Sequence, residues 1–368
     1  MKNHSPALPA ATILVAVHNE AQRLSALLAA LQEQNYPAGK LKVMIIDDRS
    51  TDATPQFLRQ FQANPHFEAI RIENVSPRYS PKKFAIAAGV GRADSELIVL
   101  TDADCRPGRA WARTVAQKFH ENCVAAVGFS PVFSRNRRLS QLLQCDSVAV
   151  ATHCLAGIGW KKPFMATGRN FAYRRSAFEA VGGFSDLSDE LSGDDDLLVQ
   201  RLHAANLGEV EFIHDPAAHV PSEGPATFFE WLIQKRRHLS AGKRFPFKIQ
   251  LGYFVFHGSN LILWLAPILS GLPGFVALAA KLGSDFLILR LTCRRLHFQI
   301  NWLAWPLWEL AHVAIHTLVG PWAFMGRVRW KSDKLKAKRR IQGKTMMGKI
   351  IIPKIFTTRT SRNPRGQK

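Results

Sequence analysis

Short apolar runs alternate with segments of helical period through the first half of the chain. Thr12–Val17, Lys42–Ile46, Phe67–Ile72, Glu96–Leu100 and Cys123–Phe129 are rich in β-branched and aliphatic residues and read as strands. Between them, residues 21–33, 52–63, 81–91 and 109–120 repeat their apolar positions at helical spacing. This alternation predicts an α/β fold, a mainly parallel sheet flanked by helices on both faces. Sheets of that kind bind ligands beyond the carboxyl ends of their strands. Polar clusters fall at three such ends: His18-Asn19-Glu20, Asp47-Asp48-Arg49-Ser50 and Asp102-Ala103-Asp104. Helix N-capping explains one residue per cluster, as at Ser50 or Thr51, and leaves the additional acids without a structural reason.

Beyond Phe247 the pattern changes to long apolar stretches. Leu251–Ser270 and Trp302–Phe324 are each long enough to cross a bilayer, and the second carries Trp302, Trp305, Trp308 and Trp322 as interface anchors. Pro273–Leu291 is apolar but contains Lys281, Asp285 and Arg290. It reads either as a span buried among helices, with Lys281 and Asp285 paired four residues apart, or as an interfacial helix. Residues 225–247, with Phe228, Phe229, Trp231 and Leu232 among basic residues, are expected to lie on the membrane surface. Glu309, His312 and His316 share one face of the last apolar stretch, where they either line an acceptor path or pack between helices.

Composition narrows the class. With 368 residues and 47% hydrophobic content the chain can bury a large core, which excludes disorder for most of it. The net charge of +21 suggests nucleic acid, but fifteen Lys or Arg and a single acid lie between Arg327 and Lys368, two thirds of that charge in one tail. The tail lacks interleaved aromatics and any base-reading motif. It reads as a solvated anchor against anionic lipid, and no nucleic-acid partner is expected. Cysteines 105, 123, 145, 154 and 293 are odd in number and form no close pair, which argues against a disulfide framework or zinc knuckle and fits a reducing cytosol. Met1 to Ala10 contains no apolar core of signal-peptide length, so the first domain is expected to stay where it is made.

Two acidic groups carry candidate chemistry. Asp102 and Asp104, one residue apart after an apolar strand, can converge on a hard cation, Mg²⁺ or Mn²⁺, together with nucleotide phosphates. Asp194, Asp195 and Asp196 open a predicted helix whose Leu197, Leu198, Arg201 and Leu202 supply its period. Three adjacent carboxylates repel, so in a partly buried site at least one takes a raised pKa and becomes a proton acceptor near neutral pH. The competing reading is favourable charge at a helix N-terminus, and it suits Asp196 best.

Val15-Ala16-Val17-His18-Asn19-Glu20, Ile46-Asp47-Asp48-Arg49-Ser50-Thr51-Asp52, Lys82 within Ser80-Pro81-Lys82-Lys83-Phe84-Ala85, and Thr101-Asp102-Ala103-Asp104 together resemble the ordered motifs of family 2 glycosyltransferases with the GT-A fold. Gly168 to Arg175 and Val181-Gly182-Gly183-Phe184 resemble that family's acceptor-side segment. Gly193-Asp194-Asp195-Asp196-Leu197 is similar to its catalytic acidic motif, and Gln234-Lys235-Arg236-Arg237-His238 to the Q-x-x-R-W motif of its membrane-bound polymer synthases. The resemblance covers about residues 10–245. It implies a nucleotide-sugar site made by Asn19, Glu20, Asp47, Asp48, Lys82, Asp102, Gln234 and Arg237, with a metal on Asp102 and Asp104 and an acceptor side at Arg169 and Asn170. Asp195 would be the general base, Asp194 the runner-up, and the reaction would invert the anomeric carbon. Three departures stand out: Pro81 for a glycine, His238 for a tryptophan, and Asp194 for a glutamate. The histidine removes a stacking platform for a sugar ring and favours a single transfer over polymer synthesis.

These readings give a cytosolic GT-A domain over residues 1–245, with an interfacial helix at 225–245, followed by a membrane region of two or three helices over 250–325 and a basic tail over 326–368. The expected location is the cytoplasmic (inner) membrane, multi-pass. A catalytic domain and a tail that share one side require an even number of crossings. The expected partners are a nucleotide-sugar donor, UDP-linked by expectation, a lipid-linked or saccharide acceptor, and membrane lipids. The alternative is a membrane-tethered nonenzymatic scaffold or RNA-binding protein with a glycosyltransferase-like fold.

Overall fold

A computed structural model describes residues 7–61, 64–74, 80–185 and 193–325. The basic tail therefore lies outside the described residues. The first half follows the expected alternation: β1 (Ala11–Val17), α1 (Ala21–Gln32), β2 (Leu41–Asp48), α2 (Thr54–Phe61), β3 (Phe67–Ile72), α3 (Pro81–Arg92), β4 (Leu97–Leu100), α4 (Trp111–Ala116) and β5 (Cys123–Gly128). β1 is buried along almost its whole length, which is why its sequence is a continuous apolar run rather than an alternating one.

The chain continues through β6 (Val132–Phe133), α5 (Arg137–Gly159), a 3₁₀ turn at Gly168–Asn170, β7 (Phe171–Arg174), α6 (Arg175–Ala180), α7 (Asp194–Ala204), β8 (Glu209–Ile213) and β9 (Ser222–Glu223). The main sheet has seven strands in the order β3-β2-β1-β4-β7-β5-β8. All neighbours are parallel except β7, which runs antiparallel between β4 and β5. One core layer packs Leu24, Leu27, Leu28 and Trp111 against Ile13 and Val15. The other sets α3 and α5 against Leu14, Met44 and Ile46. β6 and β9 form a small parallel ribbon beside the end of β4.

The C-terminal region comprises α8 (Phe228–Ser240), α9 (Phe247–Ser270), α10 (Leu272–Arg295), α11 (Trp305–Ala314), a π turn at Ile315–Val319 and α12 (Gly320–Phe324). Thr227 and Glu230 close α8 with a reciprocal capping box. Gly271, at φ +61°, joins α9 to α10 in a tight hairpin. A Cβ added at Gly274 would stand 2.0 Å from the carbonyl oxygen of Ala266, so only glycine allows the two backbones to approach this closely.

Among the described residues, three helices are long and apolar enough to cross a membrane: α5, α9 and α10. Half of α5 is buried inside the fold, against 6% and 11% for α9 and α10, so α5 is a core helix and the other two present bare apolar faces. The stretch Trp302–Phe324, read as one span, is helical without a break from Trp305 to Phe324 but widens at Ile315–Val319. Pro321 has no N–H to donate one turn back, the helix widens into the π turn before it, and Trp308, Glu309, Ile315, Val319 and Ala323 are buried against the rest of the fold. Lys281 pairs with Asp285 at 2.9 Å and with Glu309 at 2.6 Å, tying α10 to α11 by a buried ion cluster. All five cysteines are free and buried.

Candidate active site

A cavity of about 910 Å³ opens at the carboxyl end of β4. Asp102 and Asp104 follow that strand through a turn in which the Cys105 N–H donates to the Asp102 carbonyl at 3.1 Å. The β6–β9 ribbon holds the turn from the far side, where the Glu223 N–H donates to the Asp104 carbonyl at 2.9 Å. Lys82, in the first turn of α3, reaches over to pair with Asp102 at 3.1 Å and with Asp194 at 3.2 Å. One ammonium thus joins the strand-end acids to the acids that open α7.

The three aspartates of α7 have different surroundings. Burial pushes Asp194 up, but Lys82 and then Lys83 more than offset it, so its carboxyl titrates below the usual range. Asp195 is pushed up to about 6 by burial and by its neighbour Asp194. Its carboxylate accepts the Gly168 N–H at 2.6 Å and the Asp196 N–H at 3.0 Å, which fixes its direction. A Cβ at position 168 would come within 3.0 Å of that carboxylate, so the residue here is glycine for contact rather than for turn geometry. Asp196 accepts from the Ala166 N–H at 3.0 Å, and burial followed by Asp195 raises its pKa strongly. Asp104 is also raised, first by burial and then by Asp102.

α8 supplies the opposite charge. Its basic run divides three ways: Lys235 pairs with Asp146 of α5 at 2.6 Å, Arg236 lies 3.8 Å over the Trp322 ring, and Arg237 lines the cavity with Gln234. Burial lowers the pKa of Arg237, and Asp102, Asp194 and Asp104 oppose that fall, which places the guanidinium in the field of the acids. His238 is held neutral by burial and by the cations around it. The N-terminal turn of α7 rests on the start of the C-terminal helices. A Cβ at Gly193 would meet the Ala241 Cβ at 2.9 Å, and Leu197 packs with Ala241, Phe245, Ile249 and Tyr253.

The structure therefore brings Lys82, Asp102, Asp104, Arg169, Asp194, Asp195, Gln234 and Arg237 to one cavity. The remaining expected site residues do not line it. Asp47 accepts from the Ser50 N–H at 2.9 Å and pairs with Arg71 at 2.5 Å, and Asp48 binds the Arg49 guanidinium at 2.7 Å. Asn19, at φ +56°, accepts from the Thr51 N–H at 2.7 Å and so pins the loop after β2 to the loop after β1. Glu20 pairs with Arg23 at 3.3 Å. Asn170 is buried behind the cavity, where it accepts from Trp111 and donates to the Phe129 and Ala218 carbonyls. A Cβ at Gly128 would overlap its amide. Sequence reasoning missed Asp146 and His153, which line the cavity from α5; their seven-residue spacing on an apolar helix was the available signal.

Against solved structures, the fold is similar to the mannosyltransferase PcManGT from Pyrobaculum calidifontis, determined in complex with GDP-Man and Mn2+. The TM-score is 0.52 at 19% identity, over 86% of this chain and 88% of that one. The mostly parallel sheet and its topology define an α/β fold of the GT-A class. Residues 12–182 match the family model described as Glycosyl transferase family 2. Among curated proteins, a probable glycosyltransferase, YdaM, of Bacillus subtilis (strain 168) is 25% identical over 318 residues, covering 85% of this chain and 73% of the relative. The glycosyltransferase AglE of Haloferax volcanii is 25% identical over 64% of this chain and 73% of its own length. A beta-monoglucosyldiacylglycerol synthase of Nostoc sp. is 26% identical over 64% of this chain, which spans about half of that enzyme, 49%. Residues 12–182 thus carry a glycosyl transferase family 2 domain, within a chain that is similar to glycosyltransferases over most of its length.

Proposed function

We propose that the protein transfers one sugar from a nucleotide-diphosphate donor, UDP-linked by preference, to an acceptor hydroxyl at a membrane, with inversion at the anomeric carbon. The observation that carries this reading is the convergence of Lys82, Asp102, Asp104, Asp195 and Arg237 on a cavity that continues between α9 and α11. Asp195 takes the proton of the attacking hydroxyl, for which a carboxyl held near 6 by its surroundings is suited. The hydroxyl oxygen bonds to the anomeric carbon, and the bond from that carbon to the diphosphate breaks with its electron pair leaving on the phosphate oxygen. Arg237 and Lys82 place positive charge where the leaving diphosphate gathers negative charge. One displacement with one base inverts the centre.

Asp102 and Asp104 fit a hard dication. They are oxygen donors, burial and then the charge of Asp102 raise Asp104, and Lys82 pairs with Asp102 while also serving Asp194. When bound, Mg²⁺ or Mn²⁺ would neutralise the diphosphate. Asp47 and Asp48 would flank the base and ribose, with Asn19 and Glu20 shaping that loop and Arg169 facing the acceptor. The bare apolar faces of α9 and α10, with Phe254 77% and Ile268 82% exposed, support a two-crossing hairpin in the cytoplasmic membrane. That hairpin returns the chain to the side on which the catalytic domain, residues 1–245, would sit. The synthase relative named for a diacylglycerol product supports a lipid or lipid-linked acceptor.

Membranes containing the wild-type chain, Asp104→Ala or Asp195→Asn would be offered UDP- and GDP-sugars with Mg²⁺ or Mn²⁺. The expected outcome is turnover of one donor, loss of donor binding in Asp104→Ala, and retained binding with lost turnover in Asp195→Asn. Full turnover in Asp195→Asn, or metal-independent binding in every case, would overturn the assignment.

A further inference from the structure

His257 of α9, His312 of α11 and His316 of the π turn meet in the half of the cavity farthest from the sheet, and no step proposed above uses them. The three imidazoles bring one nitrogen each to within 4.8 Å of the others. The rings of His257 and His316 stack with centroids 4.0 Å apart, and those of His312 and His316 are 4.2 Å apart. His316 donates from Nδ1 to the His312 carbonyl at 2.9 Å, which leaves Nε2 as an acceptor. A backbone carbonyl in that role is the usual device for orienting a metal-binding imidazole. Among the described residues, no hydrogen bond is made by the ring nitrogens of His257 or His312.

We propose that His257, His312 and His316 bind a transition-metal dication of the zinc class, at a site distinct from Asp102 and Asp104. Imidazole nitrogen suits zinc, cobalt or nickel, whereas paired carboxylates suit magnesium or manganese, so ligand chemistry separates the two sites. A tetrahedral ion with bonds of about 2.1 Å sets its nitrogens about 3.4 Å apart, so binding requires the stacked rings of His257 and His316 to turn until their nitrogens converge. All three histidines line the cavity, so the fourth position opens into it and accepts water or an oxygen of a bound molecule. Without an ion, the packed imidazoles leave ring-nitrogen lone pairs unused beside Tyr253, Phe256 and Trp308. The π turn that carries His316 fits this reading, since such widenings recur where a helix positions functional groups. Lys235 and Asp146, nearby, neutralise each other at 2.6 Å and leave the ion's charge to be balanced from the fourth position.

The test uses the full chain, purified in detergent through a histidine-free tag, stripped by chelation and titrated with Co²⁺. The expected result is one ion per chain, with the visible absorption of a tetrahedral nitrogen site, displaced by Zn²⁺. His257→Gln and His316→Gln should each lower affinity by at least about 10-fold, while Asp102→Asn combined with Asp104→Asn leaves the spectrum in place. X-ray absorption of the zinc-loaded wild type, which requires no variant to fold, should report three imidazoles. An oxygen-only shell, no bound ion, or a spectrum lost with the aspartates and kept without the histidines would each overturn the proposal.

Discussion

Replacing Lys82 with methionine would remove a cation that pairs with both acidic groups at once. At 3.1 and 3.2 Å, and with an effective dielectric constant of about 20, each pairing is worth about 5 kcal/mol of direct attraction. The loss to stability is smaller, because a stranded carboxylate can take up a proton instead. An aspartate of ordinary pKa does so at pH 7 for about 4 kcal/mol, which caps the cost. Asp102 is the more exposed partner, with 32% of its side chain accessible, and water can compensate it; Asp194, at 13%, is the one that protonates. Lys83 remains beside Asp194 and brings the expected loss to about 2–4 kcal/mol at pH 7. The sign of the pH dependence follows. In the wild type Asp194 titrates low and is charged in both folded and unfolded chains near neutrality. In Lys82→Met its folded-state pKa lies above the unfolded one, so stability returns as pH falls, by up to about 1.4 kcal/mol per unit. Urea unfolding of the detergent-purified chain, followed by tryptophan fluorescence at pH 5, 6 and 7, measures this. Adding Asp194→Asn should flatten the slope and recover part of the loss. A deficit that stays constant from pH 5 to 7, or one below about 1 kcal/mol, would refute the reasoning.

The raised pKa of Asp195 predicts that turnover at saturating donor climbs through about pH 6 on its acidic side, because the carboxyl must be ionised to accept a proton; a profile flat from pH 5 to 8 would contradict it. Gly274→Val should prevent the α9–α10 hairpin from closing, since even a Cβ would lie 2.0 Å from the Ala266 carbonyl, and the yield of monodisperse protein should fall sharply while Gly283→Ala, whose Cβ meets nothing within 4 Å, leaves it unchanged.

The parallel core was legible because its strands are buried on both faces and so are written as unbroken apolar runs, as in Val43–Ile46 and Leu97–Leu100. β7 and β8 were not: four and five residues long, with Arg174 and Glu209 at their ends, they depend on partners far away in sequence. α5 was hidden for a different reason. Its apolar residues serve two neighbours, the sheet on one side and α10 and α11 on the other, so no single stripe marks it as amphipathic. The acids of the site could be read from their position at strand and helix ends. The partner of each could not, because Lys82 joins Asp102 to Asp194 across 92 residues of chain.

The contact of Gly193 and Leu197 with Ala241, Phe245, Ile249 and Tyr253 has a mechanical side. The residue proposed as base rides on a helix whose first turn leans on the root of α9, with no spacer of the kind that would absorb motion. If α9 and α10 cross the bilayer as proposed, a bilayer too thin or too thick for them would tilt them, and the tilt would reach Asp195 as a displacement. On that proposal turnover would vary with the thickness of the surrounding lipid, and a detergent micelle would change the geometry of the site as well as the solvent.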